Sequence, residues 1–171
     1  LLAGKAVERE VHRVDLRLPP REPVLLRARR DHDVVHEGDE RVVDLQVQPE
    51  LIDALGKQHI TEPTAIQSIA YPVLVAGRDA YLHAETGTGK TLAYLLPLFA
   101  RLDITHAATQ VVIVAPTHEL AIQIHRQACE LAQNAGWPLR AVLLIGGTAT
   151  ERQIEKLKKK PHIVIGPPGR I

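Results

Sequence analysis

From about residue 46 onward the chain alternates short apolar runs with segments whose apolar positions recur every three or four residues. The runs are "AYLHA" at 80–84, "VVIVA" at 111–115, "AVLLI" at 141–145 and "HIVI" at 162–165. Their length predicts strands, and their continuous apolar character predicts strands covered on both faces, as in a parallel sheet. Helices are predicted to start near Lys90, Thr117 and Ala149. Upstream, "PELIDALGKQ" predicts a short amphipathic helix, with Pro49 in its first turn and Gly56 near its end. "PTAIQSIAYPVLVAG" predicts another, opened by Pro63 and Thr64, bent at Pro72 and closed by Gly77. Strands spaced by helices predict an α/β fold, a mainly parallel sheet with helices on both faces. In such sheets ligands sit at the carboxyl ends of the strands.

Residues 1–45 differ, with charged clusters such as "RARRDHD" and "HEGDER" broken by "LPPREP". They read as an N-terminal extension or linker, and residues 46–171 as the folded unit. One period-two stretch, Val14-Asp15-Leu16-Arg17-Leu18, predicts an edge strand or a segment that pairs only with a partner. A chain of 171 residues with 45% apolar composition suffices for one domain with a core. With 21 Lys and Arg against 20 Asp and Glu, any nucleic-acid surface must be local. The single cysteine, Cys129, excludes an internal disulfide and a multi-cysteine metal site, and reads as a structural thiol in a reducing compartment. No apolar run is long enough to cross a bilayer and no signal pattern opens the chain, so a soluble, cytoplasmic protein without a membrane partner is expected. A chain that starts at Leu and holds no Met is expected to be a fragment.

The stretch with the most chemistry is "AETGTGKT", Ala84 to Thr91. It matches a phosphate-binding loop, with Ala84 where the strict pattern prefers Gly. A Gly-rich turn between a strand and a helix points backbone N–H groups inward, and the helix N-terminus adds partial positive charge. Lys90 is placed to reach β- and γ-phosphate oxygens, and the Thr91 hydroxyl to sit on Mg²⁺. The strand before the loop and the apolar helix opening after it supply the context the motif needs.

Each of the later strands also ends in polar or glycine-rich sequence: "APTHELAIQ" after the second, "IGGTATERQ" after the third and "IGPPGRI" after the fourth. Singly, these are explained by a helix N-cap or a tight turn. In order with the phosphate loop, they resemble the N-terminal RecA-like domain of DEAD-box RNA helicases over roughly residues 42–171. "EPTAIQ" at 62–67 resembles that family's Q motif, "AETGTGKT" its motif I, "PTHELA" its motif Ia, Gly146-Gly147 its glycine pair and "PPGR" at 167–170 its motif Ib; "GRD" at 77–79 is also in the family's place.

The resemblance implies an ATP-binding RecA-like P-loop domain that is incomplete at its C-terminus. It implies that Gln67 reads adenine, since an amide offers a donor and an acceptor side by side and selects ATP over GTP. Thr86, Gly87, Thr88, Gly89, Lys90 and Thr91 would hold ATP, with Lys90 and Thr91 as the groups serving catalysis and Thr91 on Mg²⁺. Thr117, Gly146, Gly147, Gly169 and Arg170 would contact the sugar-phosphate backbone of single-stranded RNA, a contact that tolerates any sequence and weakens with salt.

Four departures stand out. His118 replaces the family's arginine, exchanging a permanent charged fork for a side chain largely neutral near pH 7. Pro167 replaces a threonine, removing a hydroxyl and an N–H. Val42 stands where an aromatic residue stacks on adenine, and His59-Ile60 where the family has a Gly-aromatic pair. The chain also stops before the family's Asp-Glu-Ala-Asp box, its Ser-Ala-Thr motif and its second RecA-like domain. The expectation is therefore weak ATP binding with neither hydrolysis nor unwinding, and an exposed apolar sheet edge and face. Glu85 and Glu119 lie near the rim, but structural roles suit them better than activating water.

Two other readings stand beside the helicase front: a non-catalytic nucleotide- or RNA-binding module derived from a helicase, and a small-molecule kinase or other P-loop enzyme. The second has no reason to carry "PTAIQ" or "PPGR". His12, His32 and His36 lack metal-site spacing, "EKLKKKP" at 155–161 reads as a solvated helix end, and Trp137 as a packing anchor.

Overall fold

The computed structural model describes residues 24–27, 45–147 and 149–171. Along the chain lie β1 (Val24–Arg27), α1 (Pro49–Gly56), α2 (Ala65–Val75), β2 (Ala80–His83), α3 (Lys90–Ala100), β3 (Val111–Val114), α4 (His118–Asn134), β4 (Ala141–Leu143), α5 (Thr150–Lys158) and β5 (Ile163–Gly166). Every strand pairing is parallel, as the continuous apolar runs predict. The strands form two sheets, a pair β1-β2 and a trio in the order β3-β5-β4.

β5 is central in the trio and all four of its residues are buried, so it is covered on both faces. β3 departs from that expectation. It lies at the edge of the trio, and Val112 and Val114 are 41% and 42% exposed while Val111 and Ile113 are buried. The apolar run is continuous in sequence, yet only one face of β3 is packed among the described residues. β1 was not foreseen: it pairs with β2 from Val24↔Ala80 to Arg27↔His83, within the charged stretch read as an extension. The period-two segment at Val14–Leu18, the histidines at 12, 32 and 36, and Val42 lie outside the described residues.

The helices end where backbone geometry allows. α2 runs through Pro72 and closes on Gly77, whose φ of 73° lets its N–H reach Leu74 O at 3.0 Å while Arg78 N–H reaches Val73 O at 3.2 Å. α1 uses the same device one turn later than its glycine suggests. His59, at φ 59°, takes the left-handed position, and Ile60 N–H reaches back to Leu55 O at 3.0 Å.

α3 is buried without interruption from Leu92 to Phe99 and packs against α2, while α4 packs against α1, β4 and β5. One apolar cluster runs from Val47 through α1, α2, α3 and α4 to β5, joining the phosphate-loop half to the three-stranded half. Trp137 is the packing anchor expected, stacked on Phe99 with ring centroids 6.0 Å apart. Cys129 lies in α4, half-buried, and burial pushes its thiol above the ordinary range, as suits a structural residue. His162, directly before β5, is buried, its Nδ1 accepting the Arg140 N–H at 3.0 Å, and burial lowers its pKa. Among the described residues no helix is long and apolar enough to cross a membrane.

At the far end of β5, Gly166 permits close strand packing: an added Cβ would lie 2.5 Å from the Leu144 carbonyl oxygen. Backbone cannot step aside as a flexible side chain can. Gly166→Ala should therefore cost about 1–3 kcal/mol and lower the melting temperature by several degrees. An unchanged melting curve would contradict the packing at this strand end.

Candidate nucleotide and nucleic-acid site

The strand ends set the site. β2 ends at His83 and leads through the loop at 84–89 into α3, whose first residue is Lys90. The loop turns on two glycines in the left-handed region, Gly87 at φ 84° and Gly89 at φ 82°, Gly89 being the N-cap of α3. The Thr88 hydroxyl donates to Glu85 O at 2.7 Å, and the Lys90 ammonium to Ala84 O at 2.7 Å. The loop is thus closed on itself, with the lysine held by the loop's first carbonyl.

Gln67, in the first turn of α2, is buried against this loop. Its Oε1 accepts the Thr64 N–H at 3.0 Å and its Nε2 donates to Gly89 O at 3.1 Å. One N–H and one lone pair of the amide remain after these bonds. A Cβ on Gly89 would lie 2.5 Å from Gln67 Nε2 and 3.2 Å from Thr64 Oγ1, so this contact also requires glycine.

Thr86, Gly87, Gly89, Lys90 and Thr91 line one cavity of about 300 Å³. Its other wall comes from α4, through Leu120, Gln123 and Gln127. Those three were not singled out from sequence, although "APTHELAIQ" contains two of them. Gln127 Oε1 is buried with no hydrogen-bond partner among the described residues. The donor set suits a polyphosphate: an ammonium, a hydroxyl, and amides at a helix N-terminus. No carboxylate appears in this lining, and no group of three His, Cys, Asp or Glu among the described residues could hold a metal ion. Within this lining the Thr91 hydroxyl is the group that would hold a Mg²⁺ accompanying a polyphosphate.

The ends of β3, β4 and β5 lie side by side in the second sheet. Thr117 caps α4, its hydroxyl oxygen accepting the Leu120 N–H at 3.2 Å. Glu119 follows in the first turn of α4, fully exposed, its carboxyl held below the usual range chiefly by its own backbone N–H and then by the Thr117 hydroxyl. Gly146 and Gly147 form the turn after β4, Gly147 at φ 80°. After β5, Pro167 to Arg170 form a turn closed by Arg170 N–H to Pro167 O at 2.9 Å, leaving Gly169 and Arg170 exposed. The ladder aligns these ends, with Val114 opposite Gly166 and Leu143 opposite Ile165. His118, Gly146 and Arg170 meet: a Cβ on Gly146 would lie 3.1 Å from the imidazole and 3.7 Å from the guanidinium.

Residues 64–171 match the DEAD/DEAH box helicase family model. The chain is 47% identical over 125 residues to the DEAD-box ATP-dependent RNA helicase CshB of Bacillus cereus, covering 72% of this chain and 29% of that protein. It is 41% identical over 143 residues to the ATP-dependent RNA helicase RhlB of Vibrio cholerae, covering 80% of this chain and 32% of the relative. The crystal structure of a DEAD box protein from the hyperthermophile Methanococcus jannaschii superposes with a TM-score of 0.67 at 28% identity, covering 76% of this chain and 35% of the other. The chain therefore spans about a third of the length of these proteins. The parallel strands, the loop between β2 and α3, and a family match across most of the described residues agree: the chain belongs to the DEAD/DEAH box helicase family.

Proposed function

We propose that this chain is the ATP-binding front part of an ATP-dependent RNA helicase, with residues 1–45 an extension or linker and 46–171 the RecA-like unit. ATP·Mg²⁺ binds the loop through Thr86 to Thr91, with Lys90 on the phosphates and Thr91 on the metal. Single-stranded RNA lies along the rim formed by Thr117, Gly146, Gly147, Gly169 and Arg170, read through its backbone. A second RecA-like domain is the partner that would complete the machine.

The observation that carries this reading is the bond from Gln67 to the Gly89 carbonyl, 22 positions away in sequence. It holds the candidate adenine reader against the phosphate loop, with one donor and one acceptor to spare, which is the pair that adenine N7 and N6 need. A guanine presents O6 where adenine presents an amine, so the same amide rejects it. In displacement of a fluorescent adenine nucleotide, ATP should compete well and GTP poorly. Gln67→Ala should weaken ATP about tenfold or more and erase the preference. Equal competition by GTP in the unsubstituted chain would remove Gln67 as the reader.

A further inference from the structure

β4 ends the trio of strands, paired with β5 on one side and with no strand on the other among the described residues. Its backbone groups alternate between the two sides. Arg140 O accepts the His162 N–H and the Leu144 N–H donates to Ile165 O, so residues 140, 142 and 144 face β5. Residues 141, 143 and 145 therefore turn their N–H and C=O groups to the open edge. Two side chains meet them there. His125 Nε2, from α4, lies 3.2 Å from Ala141 O, and Gln153 Nε2, from α5, donates to Ile145 O at 3.1 Å. Leu143, midway between, has no strand opposite its N–H and C=O among the described residues. A cavity of about 480 Å³ lies along this edge, between α4 and α5. Its floor is apolar, from Leu139, Val142, Leu143 and Ile145, and its charged side chains are Arg140, Lys156 and Lys159, with no Asp or Glu in the lining. The two lysines belong to the run "EKLKKKP" at 155–161, which neither the nucleotide cavity nor the RNA rim uses.

We propose that this edge is a docking site for an acidic, extended peptide segment of a partner protein, which adds a strand beside β4 and sets its carboxylates against Arg140, Lys156 and Lys159. The inference stands apart from the nucleotide site and the RNA rim.

An open strand edge offers main-chain hydrogen bonds to any extended chain, and the side chains around it decide which chain is accepted. Residues 141–145 span about 16 Å at the rise of a strand, room for about five paired residues. Side chains of an added strand alternate in direction, so one set lies on the apolar floor while the other reaches the three cations. Cations gathered without a counter-charge repel one another, and carboxylates relieve that repulsion. A basic peptide would add to it. His125 and Gln153 hold the two flanking carbonyls while no partner is bound, which keeps the edge from pairing indiscriminately.

The test is an anisotropy titration of the whole chain with a labelled peptide of about eight residues that alternates Glu and Val. Two controls accompany it, the same peptide with Lys for Glu and one with Pro at its central Val positions, which lack the N–H a strand needs. The Glu peptide should bind saturably, and each control about tenfold more weakly or worse. Lys156 and Lys159 are exposed, so the double change Lys156→Glu and Lys159→Glu should leave the melting curve unchanged. It should weaken the Glu peptide about tenfold and strengthen the Lys peptide. Cys129, the only cysteine, lines the same cavity, so the bound Glu peptide should slow its reaction with a thiol reagent. Equal binding of the Pro peptide would overturn strand addition, and equal binding by the charge-reversed chain would place the peptide elsewhere. Displacement of the Glu peptide by a short oligouridylate would assign the lysines to nucleic acid and overturn the inference, as would failure of the Glu peptide to bind the folded chain. None of these outcomes bears on the nucleotide site.

Discussion

Phe99→Ala should be the most damaging single change to the fold, costing about 3–5 kcal/mol and lowering the melting temperature by roughly 6–20 °C. Phe99 is fully buried, near the end of a helix that is buried for eight consecutive residues. Its ring stacks on Trp137, which follows α4, at an interplanar angle of 16°. The pair thus ties α3, which carries the phosphate loop, to α4, which carries the opposite wall of the cavity. Truncation removes the apolar area of the ring and leaves a hole that the fixed ends of two helices cannot close. Trp137 is the only tryptophan, so its fluorescence reports unfolding at the site of the change. A shift of a degree or two would mean that α3 and α4 are held together by something else.

Lys90→Ala should do the reverse, leaving the fold nearly intact and weakening nucleotide binding about 10- to 100-fold. The ammonium is half-exposed and its recorded hydrogen bond is to Ala84 O, within its own loop, so its loss leaves one carbonyl that water can reach. On the proposed function, the same ammonium would exchange that carbonyl for phosphate oxygens of bound ATP, a charge-assisted contact that alanine cannot replace. Calorimetric titration of Mg·ATP against both chains, beside their melting curves, separates the two effects. Matched melting with matched affinity would place the phosphates away from Lys90.

Much of this was legible in the sequence because it depends on local chemistry. "AETGTGKT" between a strand and a helix fixes where α3 begins, and the short apolar runs "VVIVA" and "HIVI" are the strands β3 and β5 that their length predicts. Thr117 as the cap of α4 follows from its hydroxyl and the helical pattern after it. What was not legible depends on long-range contact. β1 is four residues beside a charged cluster, too short to show a period, and its strand character lies in pairing with β2. His59 gives no sign that it will adopt the left-handed cap position that a glycine usually takes. The difference between β5, buried throughout, and β3, open at Val112 and Val114, follows from strand order and not from composition. Gln123 and Gln127 sit in an ordinary helical pattern, and only the approach of α4 to the phosphate loop brings them to the cavity. The meeting of His118, Gly146 and Arg170 likewise needs three strand ends to align.

The central claim, that this chain carries a working adenine-nucleotide site, is tested most directly by heat titration of the folded, unsubstituted chain with Mg·ATP and, in parallel, with Mg·GTP. The account predicts saturable binding of ATP at one site per chain and little or none of GTP. Binding of neither in a chain that melts cooperatively, or of both alike, would contradict it. The first result would favour a module that no longer binds nucleotide, the second a P-loop whose neighbouring Gln67 reads nothing.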